Sequence, residues 1–425
     1  MRISVIGAGY VGLTTSAGLA SLGHTVRVGE IDSDRVAKLR SGAVPIFEAG
    51  LEEMLSEAAS SGLVSFHDSN LDAIDGAELI FLCLPTPEGD GGRADLSFVE
   101  GVVDELAAPA GDAIFVIKST VPPGTAAELQ KRIADLGGAG RVVAHPEFLR
   151  EGRAVADFLH PDRIVVGAVD PEDASTVASL YDPIDTEFVL TDPTSAEMIK
   201  YASNAYLATR LTMANTLANV CEAVGADIRD VLTGVKLDHR IGPYFLEPGP
   251  GYGGSCFPKD TAALIGVAAD AGYDFQLLRA VIEADEEQRR RIVDKVRDAA
   301  GGSLESKVVA LWGLAFKAGT DDVRESPAVR IGRLIRDAGA KVVVYDPEAR
   351  SPDFETAESA LSAVSGADVL LIATEWPEFA AVDPAEIARV MRGTGVVDAR
   401  NILDPSRVRE AGLDYLGLGR RLPAT

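Results

Sequence analysis

The sequence predicts an α/β protein: two Rossmann-like, doubly wound domains of parallel sheet, joined by a long helix and its helical connector. Three observations carry this. Short apolar runs of strand length alternate with helix-like stretches over the N-terminal part, and the alternation restarts at Ser306. Strands alternating with helices imply a parallel sheet with helices on both faces. Between the two series, 193–225 reads as one long helical stretch.

In chain order, RISVI (2–6) is a short buried strand, followed by glycines and a helix-like stretch to about Gly23. HTVRVGE (24–30) is the next strand, and ELIFLCLP (78–85), AIFVIKST (113–120), RVVAHP (141–146) and RIVVGAV (163–169) follow. The long helix opens on Thr194 with Glu197 three residues later, a capping-box pattern. A second helical run covers about 276–300. KVVALWG (307–313), KVVVYDP (341–347), DVLLIAT (368–374) and GVVDA (395–399) form a second, smaller α/β domain. The expected division is 1–192, 193–300 and 301–425.

Composition sets outer bounds. The 425 residues are 47% hydrophobic and 25% charged, with a net charge of −25 and three cysteines far apart. Such a charge opposes nucleic acid and anionic lipid, so neither is an expected partner. Cys83, Cys221 and Cys256 contain no CxxC pair, which points to neither a disulfide framework nor a metal site and fits a reducing cytosol. The apolar N-terminus imitates a signal peptide, but Gly7, Gly9 and Gly12 interrupt it. A cytoplasmic protein is expected.

GAGYVG (7–12) follows a strand directly and opens a helix. The first glycine allows the tight turn, the second lets a pyrophosphate approach, and the third lets helix and strand pack. The anion then meets free N–H groups at the helix start. Glu30 ends the second strand, where an acid accepts hydrogen bonds from the adenosine ribose and disfavours a 2′-phosphate. A Rossmann-like domain that binds NAD is the result. Arg35 reads equally as an adenine or ribose contact and as a solvated surface arginine.

GPGYGGSCFPKD (249–260) places a cysteine on tightly turned backbone. The glycines oppose helix up to Ser255, and a helix follows Pro258. Cys256 therefore precedes a helix N-terminus, where the dipole and Lys259 favour thiolate. Cys83 in a strand and Cys221 in a helix read as inert core residues. Lys200 and Asn204 lie one turn apart, on a stripe that Leu207 and Leu211 extend. From spacing alone, that pair is as compatible with a solvated turn as with a site.

GAGYVGL, KSTVPPGT, HPEFLREG, AEMIKYASNAYLATRL, RIGPYFLEPGPGYGGSCFPKD and AFKAGTDDVRESP together resemble, in order, the blocks of the UDP-glucose/GDP-mannose dehydrogenase family. The resemblance spans essentially the whole chain. It implies an N-terminal NAD domain, a central helix that forms a homodimer, and a C-terminal nucleotide-sugar domain. It implies four-electron oxidation of a sugar 6-hydroxymethyl group to a carboxylate, with Cys256 forming a thiohemiacetal and then a thioester. By the same resemblance Lys200 and Asn204 hold the reacting oxygen. Asp260 and Thr120 move protons through a water, and Glu147 does acid/base or hydrolytic work. Tyr10, Val11, Thr86, Thr120, Glu151, Lys259 and Arg324 join the cofactor set. Phe148, Leu149, Arg240, Tyr244, Gly253, Phe257, Phe316, Lys317 and Arg400 join the substrate set, with Arg240 entering a neighbouring subunit's site. Taken singly, Glu147 and Glu151 also read as surface carboxylates; if their segment is helical they share a face. His145 reads as structural. By comparison within the family it resembles, Phe257 after the cysteine leans the substrate to UDP-glucose, with GDP-mannose or a UDP-N-acetylhexosamine as the alternative. Glu30 in place of the more usual Asp keeps the carboxylate, whereas Glu247 stands where some relatives carry a Lys near the phosphates.

Overall fold

The computed structural model describes residues 1–420; the last five residues of the expected third segment lie outside them. The chain divides into two compact units, Met1–Ser203 with Ala262–Tyr273, and Asn204–Thr261 with Asp274–Thr425. The expected middle section, 193–300, is thus shared between them.

The first unit is built on eight strands: β1 (Arg2–Ile6), β2 (Thr25–Gly29), β3 (Val64–His67), β4 (Leu79–Leu82), β5 (Ile114–Ile117), β6 (Arg141–Ala144), β7 (Arg163–Gly167) and β8 (Glu187–Thr191). Their order is β3-β2-β1-β4-β5-β6-β7-β8. The chain starts in the middle and winds outward in both directions, so the strand order reverses beside β1. Ligands of doubly wound sheets bind at that point, outside the carboxyl ends. β1, β4 and β5 are apolar runs because helices cover both their faces. Phe81 packs into one layer, and Ile80 and Leu82 into the other.

The sheet departs from the expected parallel pattern once: β6 and β7 are antiparallel, meeting at Ala144 and Gly167. The connection holds one six-residue helix, Ala154–Leu159. That is about 9 Å of rise, short of the ~13 Å strand it would have to retrace. The chain stays at the carboxyl end and re-enters from there.

The second unit carries β9 (Val308–Trp312), β10 (Lys341–Tyr345), β11 (Glu355–Thr356), β12 (Val369–Ile372), β13 (Gly395–Asp398) and β14 (Asp414–Gly417). All pairs are parallel, in the order β11-β10-β9-β12-β13-β14. This is the same winding as β3-β2-β1-β4-β5-β6, so both domains are Rossmann-like.

Three further helices hold or adjoin the residues singled out in the sequence: the central helix Pro193–Val224, the cysteine helix Phe257–Asp270 and a long helix Gln276–Ala299. The expected Thr194–Glu197 capping box does not form. Pro193 takes the first helical position, which moves the cap back to Asp192, whose carboxylate accepts from Ser195 N at 2.9 Å. Glu197 is buried instead and accepts from Gly124 N (2.6 Å) and Ala126 N (2.7 Å). The buried stripe runs through Lys200, Asn204, Ala208 and Thr212, while Leu207 and Leu211 are only partly covered. The small Ala208 takes the innermost place on that turn.

Candidate active site

The glycine loop is shaped by contacts a side chain would forbid. Gly7 has φ +102°, and a Cβ there would lie 2.5 Å from Cys83 O. A Cβ on Gly12 would strike Gly7 O at 1.8 Å. A Cβ on Gly9 would meet nothing within 4 Å. Gly9 also precedes the helix Tyr10–Ser21, so open space adjoins free N–H groups where a pyrophosphate needs both. Glu30 follows β2; its carboxylate accepts from Ala8 N (3.1 Å) and Asp32 N (3.0 Å). Arg35 lies 3.9 Å from Glu30 with its side chain 38% exposed. These residues fit an adenine dinucleotide.

Val11 packs against the core. Tyr10 hydroxyl bonds to Glu48 and accepts from Gly152 N at 2.7 Å. Glu48 also accepts from Gly152 N (2.7 Å), tying the glycine loop to the segment that carries Glu147 and Glu151. Thr120 lies beyond the end of β5, buried, and its carbonyl accepts from Thr86 Oγ1 at 2.9 Å.

The segment 145–150 is not helical, so Glu147 and Glu151 do not share a helix face. Pro146 and the turn at Glu151–Gly152 keep it irregular. Glu147 is buried and meets Lys200 Nζ at 2.9 Å, while its other oxygen accepts from Leu149 N at 2.6 Å. Burial pushes the Glu147 carboxyl up, but the Lys200 ammonium, the Leu149 N–H and Lys118 outweigh it and hold it below its ordinary range. The ring of Phe148 carries Arg163 at 3.5 Å and Lys200 at 5.4 Å from its centroid. Lys118 is buried 3.0 Å from His145 Nε2, and burial pushes its pKa down to about 8 against the pull of Glu147. His145 bonds to Val165 O (2.7 Å) and Tyr181 hydroxyl (2.8 Å), a structural role. Glu48 and Lys118 escaped the sequence reading. Glu48 sits in a stretch without periodicity, and Lys118 is one cation at the end of an apolar strand, a place of equal value for snorkelling.

In the second unit, Cys256 stands directly before the cysteine helix and is partly exposed. Ser255 Oγ lies 3.6 Å from its sulfur. The other thiols differ: burial pushes Cys83 up to about 12 and also raises Cys221. Asp260, 1% exposed, accepts from Asn204 Nδ2 and Lys259 Nζ, each at 2.6 Å. Phe257 packs beside Tyr252 and Phe245. A Cβ on Gly253 would lie 2.5 Å from Glu325 O, and one on Gly254 would touch the Phe316 ring at 3.0 Å. Arg400 donates to Phe316 O and Ala373 O, each at 2.9 Å, and Lys317 lies 5.5 Å from the Phe316 centroid. Arg324 pairs with Asp322, and its carbonyl accepts from Gly254 N at 3.1 Å. The cysteine loop, Phe316, Lys317, Arg324 and Arg400 are thus brought together. Arg240 pairs with Asp238 on the exposed surface, Tyr244 is 75% exposed, and Glu247 pairs with Lys236.

Comparison with known proteins covers all these parts. Residues 1–185 match the NAD-binding domain model of the UDP-glucose/GDP-mannose dehydrogenase family, 194–287 its central domain and 310–405 its UDP-binding domain. The UDP-glucose 6-dehydrogenase of Pseudomonas aeruginosa is 41% identical over 443 residues, 99% of this chain and 98% of that protein. The structure of a UDP-glucose dehydrogenase from Pyrobaculum islandicum matches with a TM-score of 0.92 and 37% identity, over 99% and 98% of the two chains. A UDP-D-ManNAc dehydrogenase structure from Pyrococcus horikoshii gives 0.90 and 31%, over 99% of each chain.

Proposed function

The chain belongs to the UDP-glucose/GDP-mannose dehydrogenase family and uses NAD, and from that premise we propose that it oxidises UDP-glucose to UDP-glucuronate through a thioester on Cys256. One observation supports the cysteine's part above others. Cys256 alone of the three thiols is partly exposed, and it stands at a helix start beside the Asp260–Asn204 pair. A helix N-terminus favours the thiolate.

NAD, held by the glycine loop and Glu30, would supply the hydride acceptor for two successive oxidations. In the first, the 6-hydroxyl loses its proton and the carbon its hydride, leaving an aldehyde. The Cys256 thiolate adds to the aldehyde carbon, and the oxygen takes a proton. The thiohemiacetal then loses a proton and a second hydride to become a thioester. Water attacks it, the C–S bond breaks, and the carboxylate leaves with the thiol restored. Lys200 and Asn204, one turn apart on the central helix, hold the oxygen while it bears charge. Asp260 and Thr120 pass protons through water. Glu147, held ionised by Lys200, acts as the base for the hydrolytic water. Phe316, Lys317 and Arg400 hold the uridine diphosphate end.

Domain roles follow the same reading: 1–192 for NAD, 193–300 for dimerisation, 301–425 for the nucleotide sugar. The homodimer forms through the central helix. Tyr206, Met213 and Val220 are 64%, 53% and 51% exposed at seven-residue spacing, an apolar stripe of the kind that helix pairs bury. Arg240 enters the partner's site. No helix among the described residues is long and apolar enough to cross a membrane; we place the enzyme in the cytoplasm.

The match to a UDP-D-ManNAc dehydrogenase favours a second reading, the same chemistry on an N-acetylated UDP-sugar. A substrate panel decides: kcat/KM for UDP-glucose should exceed that for UDP-N-acetylmannosamine and GDP-mannose by at least about 100-fold, a margin that pocket fit alone supplies. The reverse order would overturn the substrate assignment and leave the chemistry standing.

A further inference from the structure

The backbone from Gly249 to Tyr252 has no regular secondary structure, so its polar groups need partners from elsewhere. Buried side chains supply them. Gly249 N donates to Asn215 Oδ1 (2.7 Å), and Gly249 O accepts from Gln288 Nε2 (3.0 Å). Gln288 is in turn held by Asn219 Nδ2 at 2.9 Å. Tyr252 N donates to Asp285 Oδ1 (2.9 Å), Tyr252 O accepts from Arg289 (3.1 Å), and Asp285 and Arg289 pair with each other. Gly251, at φ +116°, lets the backbone come so close that a Cβ would lie 2.8 Å from Asp285 Oδ1.

Asp285, Gln288 and Arg289 occupy successive turns of one face of Gln276–Ala299 and are 1%, 1% and 6% exposed. Polar groups buried so deeply are expensive unless satisfied. No step of the proposed chemistry uses them, yet their bonds go to the loop that ends in Cys256. Glycine-rich backbone has the most conformational entropy to lose, so it gains most from such a clamp.

We propose that Asp285, Gln288 and Arg289 are positioning residues that hold the 249–252 backbone and thereby fix the attack geometry of Cys256. The second half rests on the reading of Cys256 given above. The clamp holds the thiol's position, not its substrate, so loss of the clamp should appear in kcat and spare KM.

The test uses full-length protein with NAD and compares D285A, D285N and Q288A with the native chain. Hydrogen exchange read by mass spectrometry on peptides covering 249–256 should quicken about tenfold in D285A, as in local opening. It should stay native in β9, β12 and β13. D285A should lose about ten- to a hundredfold in kcat, the scale of a small misplacement, with KM within about twofold. D285N keeps an acceptor for Tyr252 N–H but loses the ion pair with Arg289, so it should fall between D285A and the native chain in both. If D285A fails to fold, Q288A is read the same way at Gly249. Native exchange over 249–256, exchange raised uniformly through the sheet, or a loosened loop with native kcat would each overturn the proposal. Failure of the functional reading looks different, because the native protein would then turn over no nucleotide sugar while the exchange pattern still reports on the clamp.

Discussion

At the residue scale, the Glu147–Lys200 pair decides most. Both side chains are about 95% buried, 2.9 Å apart. Removing one partner of such a pair strands the other's charge, at a cost of about 3–5 kcal/mol. K200M should therefore lower stability by that order in chemical denaturation, and kcat by at least about 100-fold, the scale of a lost oxyanion donor. K200M with native stability and turnover would remove Lys200 from the site. Glu197 makes a different prediction. Burial raises its carboxyl to about 7 against the Gly124 and Ala126 N–H groups. A folded pKa raised above the unfolded one gives stability that is full below about 4.5 and lost as pH rises through about 7. E197Q should flatten that part of the stability–pH curve, measured by denaturant midpoints between pH 4.5 and 7.5; an unchanged slope would contradict the assignment. Legibility at this scale depended on local context. Cys256 and Glu30 were readable because glycines and a strand end frame them. Glu48 and Lys118 were not, because their partners, Gly152 and His145, are distant in sequence.

At the element scale, most strands read from sequence are apolar runs buried along most of their length. β3, β8, β11 and β14 were missed for physical reasons. β11 is two residues long. β8 is a sheet edge with exposed Phe188, Val189 and Leu190, so no burial pattern marks it. The Thr194–Glu197 box failed because Pro193 at the first helical position outranks a serviceable cap one residue later. The central helix carries the prediction that belongs here. In the proposed homodimer, M213D would put a charge on each side of a twofold helix contact. It should shift the protein from dimer to monomer in light scattering, while the isolated chain keeps its helical circular dichroism. A native dimer for M213D would move the interface off this stripe.

At the scale of the whole molecule, the two sheets share one winding, and each offers the carboxyl ends beside its first strand for a ligand. This much was legible, because the alternation of strand and helix sets the topology. The antiparallel β7 was not, because it depends on how far a six-residue helix can carry the chain. A net charge of −25 is compatible with the proposed function, in which the anionic ligands meet local N–H groups and single cations. The central claim is four-electron oxidation through Cys256, and its direct test is the NADH formed per UDP-glucose consumed, in the native chain and in C256S. The account predicts two NADH per sugar with UDP-glucuronate as product, and loss of that turnover in C256S. One NADH per sugar with free aldehyde, or two in the absence of the thiol, would contradict it.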